Sequence, residues 1–319
     1  MNILYLTIDR SNMVVSHFEN WQKGLSKEVD VTFIKKPIHP YKTGQFLRET
    51  VTGQIPYQKV LLSHLTNIDN KYDWIITDSS MAYWNEDWDE IKIPKAMIIE
   101  DAWGANIELE LQKAVQAKYD ILFYKTKEAF HKLQKKYLDI FDCRWLPHSV
   151  NLDMFKDYGL EKTRDAIVTG ALNPVFYPVR YNMTQTLKDE DYFEIIPRPR
   201  DDGIKPGWPV NEDYAKVLNE SKIVYACGAK HNCLYMKHLE VQACRSLLIS
   251  NYYSDLEEQG FKHNENMIVA DMKNLKKQAR KLLVDDGFIE EITNNGYNFV
   301  RKNHSCEVRV KQLLGELNG

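Results

Sequence analysis

Short β-branched and aromatic runs recur along the chain, separated by segments whose apolar residues fall at helical spacing. In the first half the runs are Asn2–Ile8, Val31–Ile34, Trp74–Thr77, Ala96–Ile99, Ile121–Tyr124 and Arg144–Leu146. Helical spacing fills His17–Ser26, Gln45–His64, Ile107–Ala117 and Thr126–Leu138, the second broken or kinked at Pro56. The second half repeats the scheme with strands at Ala166–Thr169, Tyr192–Ile196, Ile223–Ala226, Leu247–Ser250 and Met267–Val269. Its helices are expected at Arg180–Lys188, Glu212–Asn219, Lys237–Cys244, Leu275–Leu283, Phe288–Val300 and Glu307–Leu317. Strands that are apolar throughout, alternating with helices, predict α/β architecture with parallel sheets covered on both faces.

Between the halves runs WLPHSVNLDMF, where Pro147 ends a strand and Asn151 to Phe155 read as a turn. The expectation is two Rossmann-like doubly wound domains, 1–148 and 149–302, facing a cleft at their strand C-termini, where such sheets take ligands. Glycines number only 14 and form neither G-x-G-x-x-G nor G-x-x-x-x-G-K-[ST], so a dinucleotide fingerprint and a Walker loop are both missing.

Charge narrows the function classes. Lys+Arg number 42 against 45 Asp+Glu, a net charge of −3, and neither half carries a basic arm. That argues against a protein held on nucleic acid chiefly by counterion release. No run of about 18 apolar residues and no basic leader before MNILYLTIDR is present, so a cytoplasmic location is expected. Five cysteines without a C-x-x-C pair read as reduced structural thiols. No histidine pair has metal-ligand spacing, H-E-x-x-H and similar patterns being absent, and G-x-S-x-G is missing too, so neither a histidine-built metal centre nor a serine hydrolase is expected.

Four segments carry a family resemblance: the linker WLPHSVNLDMF, IVTGALNPVFYPVR opening the second domain, LYMKHLEVQACRSLLISNYYSDLEEQGF in its middle, and RKNHSCEVRVKQLL at the end. In these the chain resembles GT-B glycosyltransferases, especially the CgeB-like (spore maturation protein B-like) branch of the group-1 transferases. The first 140 residues match in strand–helix rhythm alone. The resemblance implies a hexosyl- or pentosyltransferase that moves a sugar from a nucleoside diphosphate sugar, UDP-linked by preference, with retention and without metal or cofactor. It implies further that the final helix, 303–319, crosses back onto the first domain. That helix has apolar Val308, Val310, Leu313, Leu314 and Leu317 at helical spacing, with Ser305 at its cap.

Glu240 lies on a helix whose Leu239, Ala243 and Cys244 face the core; the plain reading is a helix charge, and the resemblance makes it the acceptor of ribose hydroxyl bonds. Lys237 is three residues earlier on the same face, and the helix start Leu234–Lys237, including Tyr235, offers amides and positive dipole potential for a diphosphate. Many relatives carry Arg at this position, so the charge is kept but the two-pronged geometry is not. Asn232 stands where retaining relatives often have a second acid, and either bonds the donor sugar or ends a turn. Gly170 permits close backbone approach after a strand, and Arg180 beyond it suits a departing diphosphate or an exposed first turn. Arg198, Arg200 and Lys205 sit in a Pro/Gly-rich loop that reads as solvated or as facing the same cleft.

In the first domain Asp9 and Arg10 follow the first strand and Glu100–Asp101 the fourth. Asp101, with Asp9 behind it, is the candidate base for an acceptor hydroxyl, Trp103 and Arg10 are candidate acceptor contacts, and Gly104 supplies a turn. The competing reading of Asp101 is the N-cap of the next helix. His148 is expected to bond structurally or to line the cleft. Trp74, Trp84, Trp88 and Trp103 offer stacking faces for sugars or exposed nucleobases, so glycan, protein and modified DNA base all stay open as acceptors. Two other functions fit the same fold: a nucleotide-sugar epimerase or phosphorylase, and a sugar-binding or surface-assembly protein without turnover.

Overall fold

The computed structural model describes residues 1–9, 17–37, 71–78, 88–89, 91–104, 106–196 and 209–319. The expected helix Gln45–His64, its Pro56 kink, Arg10, Trp84, Arg198, Arg200 and Lys205 lie outside the described residues. The chain divides into two compact units, Met1–Pro147 and His148–Gly319.

In the first unit β1 (Asn2–Asp9), β2 (Asp30–Pro37), β3 (Trp74–Asp78), β4 (Lys95–Ile99), β5 (Ile121–Tyr124) and β6 (Asp142–Trp145) form one sheet in the order β2-β1-β3-β4-β5-β6. Every neighbouring pair is parallel. Four successive residues of β1, Ile3 to Leu6, and all five of β4 are buried, which requires cover on both faces and explains runs that never alternate. The unit's helices include α1 (His17–Glu28), α2 (Ile107–Gln116) and α3 (Lys127–Leu133).

The helix expected over Thr126–Leu138 is shorter than the sequence pattern implied. At Gln134 the backbone leaves helical geometry, and a 3-10 turn over Lys135–Tyr137 follows. The Gln134 amide is buried and donates to the Ala102 carbonyl at 2.9 Å, a tertiary bond that outweighs helical periodicity.

The second unit holds β7 (Arg164–Thr169), β8 (Phe193–Ile196), β9 (Ser221–Tyr225), β10 (Leu247–Ser250) and β11 (Ile268–Val269), parallel throughout and ordered β11-β10-β9-β7-β8. Its helices include α4 (Pro178–Leu187), α5 (Asn211–Asn219), α6 (Met236–Ala243), α7 (Ser254–Glu258), α8 (Leu275–Leu283), α9 (Asp286–Asn303) and α10 (Cys306–Leu317). The two-residue period of the strands sorts their side chains into two cores. Ile167, Val224 and Leu248 join Ala215 and Leu218 of α5 and Leu239 and Ala243 of α6 on one face. Val168, Tyr225 and Ile249 join Met183 and Leu187 of α4 and Leu275 and Leu282 of α8 on the other. Each fully buried aliphatic side chain contributes about 1.5–3 kcal/mol, and a one-residue slip of a central strand would send the side chains of each core into the other, where their shapes do not fit.

The linker turn forms as expected, with the Asp153 amide on Asn151 Oδ1 at 3.0 Å and the Phe155 amide on the Asn151 carbonyl at 2.8 Å. Its start is tied to the chain's end: Val150 pairs in parallel with Ser305, and Cys306 donates to the Val150 carbonyl. Ser305 caps α10 by accepting from the Val308 amide, as its position before the apolar pattern foretold. All five cysteines are free, and four are buried.

Candidate functional site

Strand order fixes where each unit can take a ligand. In the second unit the chain leaves β7 for β8 on one side and returns as β9 on the other, so loops diverge at the C-terminal ends of β7 and β9. Such a switch point opens a crevice that no connection crosses. Thr169 ends β7 there, and Gly170 follows with φ +100, a region that side chains rarely enter. A Cβ at Gly170 would lie 2.7 Å from a terminal nitrogen of Arg180 and 3.5 Å from Cε of Lys237. Two cations therefore crowd one glycine.

Arg180 is buried, which overturns the reading of an exposed first-turn residue. Its guanidinium lies over the Tyr177 ring at 4.4 Å and donates to the Ala171 carbonyl at 3.2 Å. Its Nε is enclosed and has no hydrogen-bond partner among the described residues. A cation held this way keeps hydrogen-bonding capacity for an incoming anion.

Lys237 is likewise not a solvated lysine. Its ammonium donates to Thr169 Oγ1 and, at 2.8 Å, to the Tyr214 hydroxyl. It lies in the first turn of α6, whose N-cap Tyr235 is extended and makes no side-chain cap bond, so the ammonium sits at the positive end of the helix dipole. Glu240 is one turn further along α6, half-buried, and its charge is the second cause, after burial, that raises the Tyr214 hydroxyl above the usual phenol range. Leu239, Ala243 and Cys244 are fully buried, as the spacing predicted. Asn232 closes the 3-10 turn Ala229–His231 with φ +53, so its turn-ending role is present.

α6 itself carries a buried histidine that the sequence did not single out. His238 Nδ1 sits 3.2 Å from the Tyr235 carbonyl, while Nε2 lies 3.0 Å from Ser250 Oγ and 2.9 Å from the Tyr253 hydroxyl. With the proton on Nδ1, that nitrogen donates to the Tyr235 carbonyl and the single lone pair of Nε2 is shared between the two hydroxyls. Burial pushes His238 down to about 3, so it is neutral and fixes the Tyr235 end of α6. His148 is buried and stacks near Tyr235, ring centroids 6.5 Å apart.

The first unit has its own switch point, between β1 and β3. Asp9 closes β1 and Asp78 closes β3. Asp78 is buried and accepts from Tyr5 at 2.9 Å and from Thr7, two residues on one face of β1. Burial, then the Asp78 charge, raises the Tyr5 hydroxyl well above its usual range.

Asp101 follows β4. The N-cap of α2 is Asn106, so Asp101 does not cap that helix. Its residue keeps solvent access, but protein crowding its carboxyl pushes the pKa up to about 6, with the Glu100 charge as the lesser cause. The Gly104 amide bonds the Asp101 carbonyl at 3.2 Å, and a Cβ at Gly104 would make ordinary contacts, so glycine is not required in that turn. Trp103 is half-buried beside it, whereas Trp88 is 2% exposed and offers no face for stacking.

The structure thus brings Gly170, Arg180, Lys237, Tyr235 and Glu240 to one switch point and adds Thr169, Tyr177 and Tyr214. The Thr169 hydroxyl preceding Gly170 was a usable local signal; Tyr214 reads in sequence as an ordinary buried-face aromatic of a helix. Among the described residues, no group of three or more His, Cys, Asp or Glu side chains could hold a metal ion. No helix of the described residues is long and apolar enough to cross a membrane.

The family model for glycosyl transferase-like proteins matches residues 181–315, within the second unit. No curated protein matches the chain at a significant level. Among solved structures the chain is similar to the sucrose-phosphate synthase of Thermosynechococcus elongatus, at 11% identity and TM-score 0.67, covering 100% of this chain and 98% of that one. It is also similar to Anabaena HepE in complex with UDP and glucose, at 10% identity and TM-score 0.61, covering 100% and 99%. An alpha-glucosyltransferase in complex with UDP and a 13-mer DNA containing an HMU base aligns at 13% identity and TM-score 0.64, covering 99% of each chain. The two parallel-sheet α/β units are those of the GT-B fold.

Proposed function

We propose that the chain is a glycosyltransferase that moves a sugar from a UDP-linked donor to an acceptor hydroxyl, with retention and without a resident metal. The observation that carries this reading is the pairing of Arg180 and Lys237 at Gly170, with Lys237 in the first turn of α6, at the second sheet's switch point. Cations and amides held in place before the ligand arrives stabilise charge that grows on a leaving diphosphate. Arg180, Lys237 and the first amides of α6 take the diphosphate. Glu240, one turn along, accepts from the ribose hydroxyls, and Tyr235 and Asn232 border the sugar. In the transfer the bond from the sugar's anomeric carbon to the diphosphate breaks, the acceptor oxygen bonds that carbon on the face the diphosphate leaves so that configuration is kept, and the acceptor proton passes to a carboxylate.

Asp101 is the carboxylate proposed for that proton, with Asp9 second and Trp103 and Arg10 as acceptor contacts. With a pKa of about 6 it is mostly ionised at neutral pH and still basic enough to share a proton. The family-model match and the UDP complexes among the structural neighbours support the donor class. The neighbour holding DNA supports keeping a modified nucleobase among the acceptors, beside glycans and proteins. Five free cysteines suit a reducing cytoplasm. The return of α10 to the first unit remains part of the proposal; deleting residues 302–319 should then depress transfer more than UDP binding.

The test is incubation with UDP- and GDP-sugars, with and without candidate acceptors, reading free nucleoside diphosphate. Release that requires acceptor supports transfer. Acceptor-independent conversion of the sugar makes the protein an epimerase, and binding without turnover makes it a sugar-binding protein.

A further inference from the structure

We propose that Tyr214 is a positioning residue for the diphosphate-binding lysine: its hydroxyl, together with that of Thr169, holds the Lys237 ammonium against Gly170. The inference rests on the reading that Lys237 meets a diphosphate. A lysine ammonium is a compact charge on a flexible four-carbon stem, and fixing such a side chain costs rotamer entropy. A lysine without local partners loses that entropy when the ligand binds. Here two of its N–H groups are already directed, one at Thr169 Oγ1 and one at Tyr214. The ammonium also lies 5.0 Å from the centroid of the Tyr214 ring.

The tyrosine is itself held. It rises from α5, whose Ala215 and Leu218 are fully buried, and its ring meets Phe155 edge to face at 6.1 Å. Its hydroxyl lies 3.2 Å from Thr169 Oγ1, so the three groups close a triangle at the end of β7. Burial, followed by the Glu240 charge, keeps the phenol protonated. Tyr214 and Thr169 are therefore neutral acceptors, which orient the cation without cancelling its charge, unlike a carboxylate partner. The same phenol faces both the lysine expected at the diphosphate and the glutamate expected at the ribose.

The experiment is calorimetric titration of the full-length protein with UDP and with uridine, for the parent, Tyr214→Phe, Thr169→Val and Thr169→Ser. Phenylalanine keeps the ring and its contact with Phe155; valine keeps the shape of threonine. Tyr214→Phe and Thr169→Val should each weaken UDP by about five- to tenfold, the scale of one net hydrogen bond, and leave uridine unchanged. Thr169→Ser should restore UDP binding. In a Lys237→Ala background Tyr214→Phe should cost nothing further, since the group it positions is gone. Parent-like UDP affinity in Tyr214→Phe, or equal losses for UDP and uridine, would overturn the role. A parent protein that binds neither UDP nor GDP would instead remove the donor-site reading, and this inference with it.

Discussion

The two sheets reach their switch points with opposite chemistry. At the end of β7 a glycine is crowded by Arg180 and Lys237, and the lysine donates to two neutral hydroxyls, those of Thr169 and Tyr214. At the end of β3 a buried carboxylate, Asp78, is held by Tyr5 and Thr7. The same topology therefore presents positive charge in one unit and negative charge in the other. A diphosphate is attracted by the first arrangement and repelled by the second, so strand order alone does not make a nucleotide site; the residues at the strand ends do.

The contrast extends to acid. His238 and His304 in the second unit are both pushed down to about 3, by burial first, and both are neutral when folded. His304 accepts from Arg309 at 2.7 Å on Nδ1 and bonds the Gln259 carbonyl through Nε2, a geometry that needs the neutral ring. An unfolded histidine takes up its proton near pH 6.5, so this contribution is complete above that pH and lost as pH falls toward 3. By pH 5 each should cost about 2 kcal/mol, and the two together about 4 kcal/mol, the largest effect expected here. Denaturant titrations at pH 5 and pH 7 would show it, and His238→Gln with His304→Gln should flatten the dependence. Equal acid sensitivity before and after these substitutions would break the contrast.

Asp101 runs the other way. Its folded pKa lies above the unfolded value, so the native state holds that proton more tightly, and the associated stability is present at low pH and lost as pH rises through about 6. As the proposed base it must be ionised, and kcat/KM should fall below about pH 6. Asp101→Asn should lower the rate about a hundredfold and remove that limb, with a stable fold at neutral pH. A variant with the parent pH–rate profile would take Asp101 out of the chemistry.

At the second switch point Gly170→Ala should cost about 1–3 kcal/mol of stability, because φ +100 strains any side chain, and should displace the Arg180 guanidinium. Thermal unfolding and UDP titration read the two effects separately. Glu240→Ala should weaken UDP by about 1.5 kcal/mol through loss of a charged acceptor and leave the fold intact. Unchanged UDP affinity would detach Glu240 from the ribose.

Much of the fold was legible because parallel strands buried on both faces leave unbroken apolar runs; Ile121–Tyr124 and Leu247–Ser250 begin and end where the pattern said. Periodicity failed where a single tertiary bond governs, as at Gln134, and where an element is too short to show a period, as with the five residues of α7. In the candidate site, the placement of Gly170, Arg180 and Lys237 at one strand end and of Glu240 one turn along α6 was readable from the string around them. Tyr214 and His238 were not, because their roles arise from partners 23 and 12 residues away rather than from local spacing. Trp88 misled, since its large apolar body serves the core.

Hydrogen exchange of the full-length protein, read by mass spectrometry with and without UDP, tests the central claim most directly. The account predicts slowed exchange in residues 169–180 and 226–243, the loops and helix starts at the end of β7 and β9, with residues 121–146 of the first unit unchanged. UDP-dependent protection confined to the first unit, or none at saturating UDP, would contradict it.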